Sequence, residues 1–280
     1  MAASPTPPPT TLPVDSWPSP EPPPGRGPNL AARLLLVAVL ITLAGATFLL
    51  LDAANPPKRP PAGEDRFVVP LLDVVPGAAA PQARPTPAGQ DLRAWAEKIA
   101  SETDIPARTA IAYANAELAT RDRTPGCNLT WVTLAGVGRV ESHHGHYSGS
   151  RVGSDGTLSK PIIGVPLDGS PGVKAIPDTD DGRLDGDPQW DRAVGSMQFL
   201  PTTWARWSQR ASGDGALPDP QNVDDSALTA ARYLCASGGD LATGAGWWKA
   251  VLTYNESRKY GVDVFSGASA YARKAAELGG

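Results

Sequence analysis

Residues 129–141 of this chain read LTWVTLAGVGRVE, an apolar segment of helical length that ends on a carboxylate. Leu134, Val137 and Glu141 fall on neighbouring turns of a helix, so the segment has one continuous apolar face. Gly145 follows four residues later and is a suitable helix stop. The pattern predicts a helix that lies in the core and leaves it at Glu141.

Apolar residues at helical spacing predict further helices on both sides of this segment. The expected helices cover residues 90–100, 106–120, 201–209, 225–237, 245–256 and 268–278. Residues 148–190 are instead rich in glycine, aspartate and proline, which predicts a long irregular lobe with at most a small hairpin. We therefore expect a mainly α fold in one domain over residues 90–280.

The N-terminal third of the chain has a different composition. Of the 30 prolines, 20 lie in residues 1–90. Proline lacks an amide donor and fixes its φ angle, so this density excludes a packed helical or sheet core. Residues 1–33 are predicted to be a disordered tail, and residues 52–89 a proline-rich linker.

Between tail and linker, residues 34–51 read LLLVAVLITLAGATFLLL, without a charge in 18 residues. This length just crosses the hydrocarbon part of a bilayer as a helix, so we expect an uncleaved transmembrane anchor. A cleaved signal peptide and a buried core helix are the alternatives. Basic residues flank both ends, so charge leaves the orientation open.

The charge of the predicted domain argues against one class of partner. The whole chain has a formal net charge of −4, and no cluster of lysine and arginine emerges. We expect no nucleic-acid partner.

Glu141 is the first candidate for chemistry. A carboxyl group where an apolar helix meets a cleft would have a raised pKa and could act as a general acid. A surface glutamate in a salt bridge is the alternative. All three histidines lie within residues 143–146 and could suggest zinc, but their spacing does not match a helical HExxH pattern, which favours a solvated turn.

Two further segments combine small, amide and aromatic residues. Residues 190–204 read WDRAVGSMQFLPTTW, where glycine permits close approach of a ligand to the backbone and Gln198 can donate and accept hydrogen bonds. Residues 253–260 read TYNESRKY, and tyrosine rings suit sugar recognition because they pair an apolar face with a polar tip.

In their order and spacing, the three segments resemble those of lytic murein transglycosylases of the membrane-bound B-type family, especially its actinobacterial members. The matching residues are Glu141 and Ser142, the Gly-Ser-Met-Gln-Phe-Leu-Pro-Thr stretch at 195–202, and Tyr-Asn-Glu-Ser-Arg-Lys-Tyr at 254–260. The resemblance covers roughly residues 90–275. It implies a lysozyme-like fold and cleavage of the β-1,4 bond between N-acetylmuramic acid and N-acetylglucosamine in peptidoglycan, with a 1,6-anhydro product and no cofactor.

The resemblance also implies roles for individual residues. Glu141 would be the catalytic acid and then the base. The substrate-binding residues would be Ser142, Ser196, Met197, Gln198, Phe199, Tyr254, Asn255 and Tyr260, and Asp191 is a further carboxylate that could orient substrate or activate water. An extracytoplasmic substrate implies a single-pass membrane protein with its tail inside and its domain outside.

Cys127 and Cys235 are the only cysteines. An even number in an exported domain suggests a disulfide, with two separate buried thiols as the alternative. The implied location favours the disulfide.

Metal binding and other functions remain open in the sequence. Residues 212–215 and Asp224 resemble part of a calcium loop found in some relatives, but Arg210 or Ala211 stands where its first acidic ligand would be. The acidic residues at 178–187 are out of register for an EF-hand, so we expect no metal. A hydrolytic muramidase, an inactive glycan-binding module and a zinc peptidase are the alternative functions.

Overall fold

The computed structural model describes residues 67–87, 89 and 91–279. This part of the chain forms seven α-helices and two single 3-10 turns, and it confirms the mainly helical class. The helices are α1 Asp91–Glu102, α2 Ala107–Arg123, α3 Trp131–Ser142, α4 Pro201–Trp207, α5 Val223–Gly238, α6 Gly244–Tyr254 and α7 Arg258–Leu278.

The predicted tail at 1–33 and the predicted membrane anchor at 34–51 lie outside the described residues. Within the described part, none of the helices is both long enough and apolar enough to span a bilayer.

Helix α3 forms the centre of the core. Its first eight residues, 131–138, are all buried, as the apolar segment predicts. The helix packs most extensively against α7, and the two backbones approach closely at Gly136. A Cβ atom on Gly136 would lie 2.6 Å from the carbonyl oxygen of Val264, so only glycine permits this crossing. Around this pair, α2 packs on α5 and α5 on α6.

Helix α7 begins ten residues before its predicted start at 268. Ser257 caps the helix, because its hydroxyl oxygen accepts a hydrogen bond from the backbone N–H of Tyr260. The sequence pattern does not predict this part of the helix, because it contains Gly261 and Gly267 and glycine is a poor helix former. Gly261 packs against the ring of Trp248, which leaves no room for a Cβ atom.

The structure confirms the disulfide between Cys127 and Cys235. The bond joins the 3-10 turn Pro125–Cys127, just before α3, to the last turns of α5. It closes a loop with a sequence separation of 108 residues.

Residues 67–87, which we call the N-terminal strap, belong to the same compact unit as the helices. The backbone N–H of Leu72 donates to Ser266 Oγ at 3.0 Å, and Trp248 Nε1 donates to the carbonyl of Ala78 at 3.2 Å. These residues fall within the proline-rich linker predicted at 52–89. In the structure it extends the packed domain towards the N-terminus, because its apolar side chains find partners on α6 and α7.

One buried carboxylate links the strap to the central helix. Glu117 of α2 accepts hydrogen bonds from the backbone N–H groups of Thr86 and Trp131, at 3.2 and 2.9 Å. Trp131 is the first residue of α3, so the carboxylate satisfies a free amide at the helix N-terminus. Burial raises the pKa of Glu117, while these amides and Arg121 oppose the rise.

The segment between α3 and α4 is the irregular lobe that the composition predicts. Its backbone pairs only through isolated bridges, such as Ile163 with Val194 and Asp168 with Ala175. The lobe lies beside the C-terminus of α3 and forms one side of the candidate site described next.

Candidate active site

Helix α3 ends in a left-handed turn that places Glu141 at the edge of the core. His143 and His144 both adopt positive φ angles, and their backbone N–H groups bond to the carbonyls of Arg139 and Gly138. The chain then doubles back, and the hydroxyl of Ser142 accepts a hydrogen bond from the N–H of Gly145 at 2.8 Å. Glu141, in the last turn of α3, is half-buried and faces away from the centre of the core.

The environment of Glu141 favours its protonated form. Burial raises the pKa of its carboxyl group to about 7, and a hydrogen bond from Tyr260 opposes the rise. The phenolic hydroxyl of Tyr260 donates to Glu141 Oε1 at 2.5 Å. A carboxyl group with a pKa near neutrality can give up a proton and take one back at the same pH.

Glu141 lines a cleft of about 520 Å³ between the helical core and the irregular lobe. The cleft brings together parts of all three sequence segments. The predicted site residues that line it are Glu141, Gln198, Phe199, Tyr254 and Asn255.

Residues 195–199 form a sharp turn, and Gln198 and Phe199 of this turn line the cleft. Gly195 has a φ angle of 79°, and a Cβ atom there would lie 1.9 Å from the carbonyl oxygen of Pro220, so the position requires glycine. Gln198 also has a positive φ angle, 48°, which is unusual for a side chain of its size. Its amide nitrogen donates to the carbonyl of Gly195 at 3.0 Å. This bond holds the side chain beside the cleft.

Aromatic rings form one wall of the cleft. Tyr254 lies parallel to Tyr260, with 6.5 Å between ring centres, and it contacts the ring of Phe199 at 5.7 Å. Its hydroxyl donates to the carbonyl of Met197 at 2.7 Å, which ties the end of α6 to the 195–199 turn. Asn255 is exposed, and its side-chain oxygen accepts from the N–H of Ser257.

Three of the predicted substrate-binding residues lie behind the cleft rather than in it. Ser142, Ser196 and Met197 are at most 3 % exposed. The hydroxyl of Ser142 donates to the carbonyl of Ser196 at 2.6 Å, so these residues join the Glu141 turn to the 195–199 turn. Their contacts position the site. Tyr260 acts on Glu141 through its hydroxyl and is otherwise buried.

Asp191, predicted as an extra carboxylate near substrate, does not line the cleft. It is fully buried in the lobe, and its carboxylate accepts hydrogen bonds from the backbone N–H and the hydroxyl of Thr179 at 2.8–3.0 Å. The sequence could not reveal this, because the partner lies in an irregular loop without periodicity.

Asp191 belongs to the one group of side chains in the described residues that could hold a metal ion. Carboxylate oxygens of Asp178, Asp180 and Asp191 lie within 4.8 Å of one another. Oxygen ligands of this kind suit calcium or magnesium. The same carboxylates already accept backbone N–H bonds within the loop, so hydrogen bonds alone account for the arrangement.

In the possible calcium loop near residue 210, a guanidinium group lies between the carboxylates. Arg210 forms ion pairs with Asp214 and Asp225, each at 2.9 Å. The guanidinium group of Arg210 therefore supplies the positive charge beside these carboxylates.

The histidine turn supplies no metal-binding group within the described range. His144 is buried, and both of its ring nitrogens bond to phenolic hydroxyls, Nδ1 to Tyr113 at 3.1 Å and Nε2 to Tyr271 at 2.8 Å. The neighbouring histidines are exposed. His144 stabilises the fold beneath the Glu141 turn.

Several cleft residues were not among the predicted site residues. They are Leu167, Lys174 and Ile176 of the lobe, Thr203 of α4, Tyr233 of α5, and Glu256. The lobe residues lie in a segment without helical or strand periodicity. Thr203 and Glu256 lie inside the two motif segments and were recognisable by position.

Comparison of the chain with protein-family models, with curated proteins and with solved structures gives no match.

Proposed function

We propose that this chain is a lytic transglycosylase that cleaves the β-1,4 bond between N-acetylmuramic acid and N-acetylglucosamine in peptidoglycan. One observation supports the proposal above all. A half-buried glutamic acid with a pKa of about 7 lies in a cleft, with Gln198 and Tyr254 lining the same cleft. These three residues come from the three segments on which the family resemblance rests.

Glu141 performs both proton transfers in the proposed mechanism. Its protonated carboxyl group gives a proton to the glycosidic oxygen as the bond from that oxygen to C1 of N-acetylmuramic acid breaks. The acetamido oxygen of the same sugar stabilises the positive charge at C1. The carboxylate form of Glu141 then takes the proton of the C6 hydroxyl while O6 bonds to C1. The product is a 1,6-anhydro ring, and Glu141 is again protonated.

The pKa of Glu141 suits this double role. An acid that must first donate and then accept works best when its pKa lies near the working pH. The attack of O6 is intramolecular, which gives it a large advantage over water at the same centre. The mechanism therefore needs one carboxyl group, whereas most glycosidases use two.

The walls of the cleft suit a sugar. Phe199, Tyr233 and Tyr254 offer ring faces against which the apolar faces of pyranose rings can pack. Gln198 supplies an amide at the same surface for hydroxyl or acetamido groups.

A hydrolytic muramidase is the second candidate, and Glu256 is the observation that favours it. Glu256 lines the same cleft as Glu141 and is exposed, so it could activate a water molecule. Asp191 does not support hydrolysis, since it is buried outside the cleft.

The decisive experiment compares the products released from purified sacculi by the full chain. Muropeptides with 1,6-anhydro ends, detected by mass spectrometry, support the transglycosylase, and reducing ends support the muramidase. Glu141→Gln is expected to release neither, while the exposed Glu97→Gln on α1 serves as the matched control and retains activity. Binding of sacculi by the wild-type chain without any product indicates an inactive binding module and overturns both enzyme assignments.

The proposed location is the cell membrane, with residues 34–51 as a single anchor and the domain outside the cytoplasm. The uncharged 18-residue segment and the extracytoplasmic substrate support this topology. Protease added to intact spheroplasts is expected to degrade the domain and leave residues 1–33 protected. Protection of the domain, or its release by a signal peptidase, contradicts the anchor.

A further inference from the structure

A hairpin of the irregular lobe contributes Leu167, Gly172, Lys174 and Ile176 to the lining of the cleft. We call residues 167–176 the lip hairpin. The backbone N–H of Ile176 bonds to the carbonyl of Leu167 at 2.8 Å, and Asp168 pairs with Ala175 in an antiparallel bridge. A turn closes the hairpin, where the N–H of Val173 bonds to the carbonyl of Ser170.

Asp191 fixes the lip hairpin to the segment that leads into the 195–199 turn. Its backbone N–H donates to the carbonyl of Ile176 at 3.0 Å, and its carbonyl accepts from the N–H of Leu167 at 3.1 Å. Both arms of the hairpin are therefore bonded to one buried residue. The hairpin holds a defined position relative to Gln198, seven residues further along the chain.

The second arm of the hairpin directs alternate residues into the cleft. Gly172, Lys174 and Ile176 all line it, as expected for an extended segment whose side chains alternate between two faces. Ala175, between them, does not line the cleft, and its Cβ atom lies 3.1 Å from the position that a Cβ of Gly169 would take. The backbone thus presents Lys174 to the cleft.

Lys174 is the only cationic residue among those that line the cleft, whereas Glu141 and Glu256 are acidic. Its ammonium group is exposed and makes no ion pair or side-chain hydrogen bond within the described part of the chain. It remains available for an anionic group of a ligand.

The proposed substrate carries its negative charge away from the sugar rings. Its glycan backbone has hydroxyl and acetamido substituents, which are neutral. Carboxylates occur on the lactyl arm of N-acetylmuramic acid, in the attached peptide or, where the peptide has been removed, on the lactyl group itself. A cation in the lining of a sugar-binding cleft can pair with a carboxylate on such an arm.

We propose that Lys174 binds a carboxylate of the lactyl-peptide arm and so makes the enzyme prefer charged, arm-bearing strands over neutral glycans. The inference rests on the proposed function, because it takes its substrate class from there. Leu167 and Ile176 of the same hairpin contact the apolar part of the arm, and Lys174 contacts its charge.

The test compares two preparations of the same sacculi, one untreated and one with its carboxylates converted to amides by carbodiimide coupling. Lys174→Met is expected to lower kcat/KM on untreated sacculi about fivefold, the scale of an exposed ion pair, and to have no effect on amidated sacculi. Lys249→Met, an exposed lysine of α6 outside the cleft, is the matched control and changes neither. The wild-type preference is expected to weaken with added salt, since screening reduces such a contact.

Equal losses on both preparations, or no loss on either, overturn the proposal. A third preparation, strands stripped of peptide, replaces the peptide carboxylates by a free lactyl carboxylate. Disappearance of the Lys174 effect assigns the contact to the peptide, and its persistence shows that the lactyl carboxylate also binds Lys174.

A binding measurement separates this proposal from the proposed function. In the Glu141→Gln background, adding Lys174→Met is expected to weaken the binding of untreated sacculi and leave the binding of amidated sacculi unchanged. If the wild-type chain cleaves no preparation, the proposed function fails, and this binding difference still decides the role of Lys174.

Discussion

Tyr260 donates a 2.5 Å hydrogen bond to Oε1 of Glu141, across a sequence separation of 119 residues. Burial and the nearby carboxylate keep the pKa of Tyr260 well above its ordinary value, so its hydroxyl stays protonated and remains a donor. The bond is stronger to a carboxylate than to a carboxylic acid, and it therefore limits the pKa rise that burial causes in Glu141.

Replacement of Tyr260 by phenylalanine is expected to raise the pKa of Glu141 above about 7. The donor that favours the carboxylate is lost, while the burial that disfavours it remains. Because the acid form starts the proposed reaction, the alkaline limb of the kcat/KM profile should move to higher pH, and the rate of the later proton uptake should change with it. The measurement is kcat/KM on sacculi between pH 5 and pH 9.

Tyr147→Phe is the matched control, since Tyr147 is 56 % exposed and lies outside the cleft. Its profile should coincide with that of the wild type. An alkaline limb that stays in place in Tyr260→Phe would show that the hydrogen bond does not set the ionisation of Glu141.

Glu141→Gln is expected to stabilise the fold at alkaline pH. The pKa of Glu141 is about 7 in the folded chain against an ordinary value of 4.5, so folding favours the protonated form. That contribution is complete below pH 4.5 and is lost as the pH rises through 7. At pH 8 the neutral amide should raise the free energy of unfolding by up to about 3 kcal/mol.

Urea unfolding at pH 4 and pH 8 checks this expectation. At pH 4 the two chains should differ little, because both carry a neutral side chain at this position. A variant that is equally stable or less stable than the wild type at pH 8 would mean that ionisation of Glu141 does not lower the free energy of unfolding.

Gly138→Ala is expected to destabilise the domain by about 3 kcal/mol. A Cβ atom there would lie 2.0 Å from the hydroxyl of Tyr113, whose ring is buried and whose hydroxyl bonds to His144. Alanine is the better helix former by roughly 1 kcal/mol, but the overlap outweighs this gain. Gly138 precedes Glu141 by one turn, so kcat should fall as well.

Gly126→Ala provides the comparison for that variant, since a Cβ atom at Gly126 meets nothing within 4 Å. Thermal unfolding followed by circular dichroism measures both. Unfolding of the two alanine variants at the same temperature would show that Tyr113 tolerates a Cβ atom at position 138.

Replacement of Cys127 and Cys235 together by alanine should lower the free energy of unfolding by about 2–5 kcal/mol. The disulfide closes a loop with a sequence separation of 108 residues, and opening it frees the unfolded chain. Neither cysteine lines the cleft, so kcat of the folded variant should match that of the wild type. Urea titration with and without reductant checks this, and wild-type stability in the double variant contradicts it.

The helices of this domain were predictable because each has a buried face with helical periodicity. Helix α3 is the clearest case, since eight consecutive residues from Trp131 are buried and the sequence shows them as an apolar run. The start of α7 was missed because Gly261 and Gly267 weaken the pattern there. Gly261 leaves room for the ring of Trp248 on α6, a contact between two helices that no local pattern indicates.

The candidate site was predictable in its members but not in their roles. Sequence motifs identified Glu141, Gln198 and Tyr254, which the structure places at one cleft. They also included Ser142 and Met197, which lie behind it and connect its walls. The residues of a motif act together. A motif therefore includes buried residues that position the site as well as residues that face the cleft.

Lys174 illustrates what was beyond the sequence. Its charge lies in a segment without periodicity, where no pattern indicates which side chains face a cleft. Its placement follows from the backbone bonds of Asp191 to both arms of the lip hairpin.

The mainly helical class, the central apolar helix and the carboxyl group at its end follow from residue spacing, because a buried apolar face repeats with the period of a helix. The folded chain was needed to show that Tyr260 reaches Glu141, that Asp191 lies in the lobe rather than the cleft, and that Lys174 lines the cleft. These relationships join residues far apart in the chain, and they depend on how helices and loops pack rather than on any local pattern.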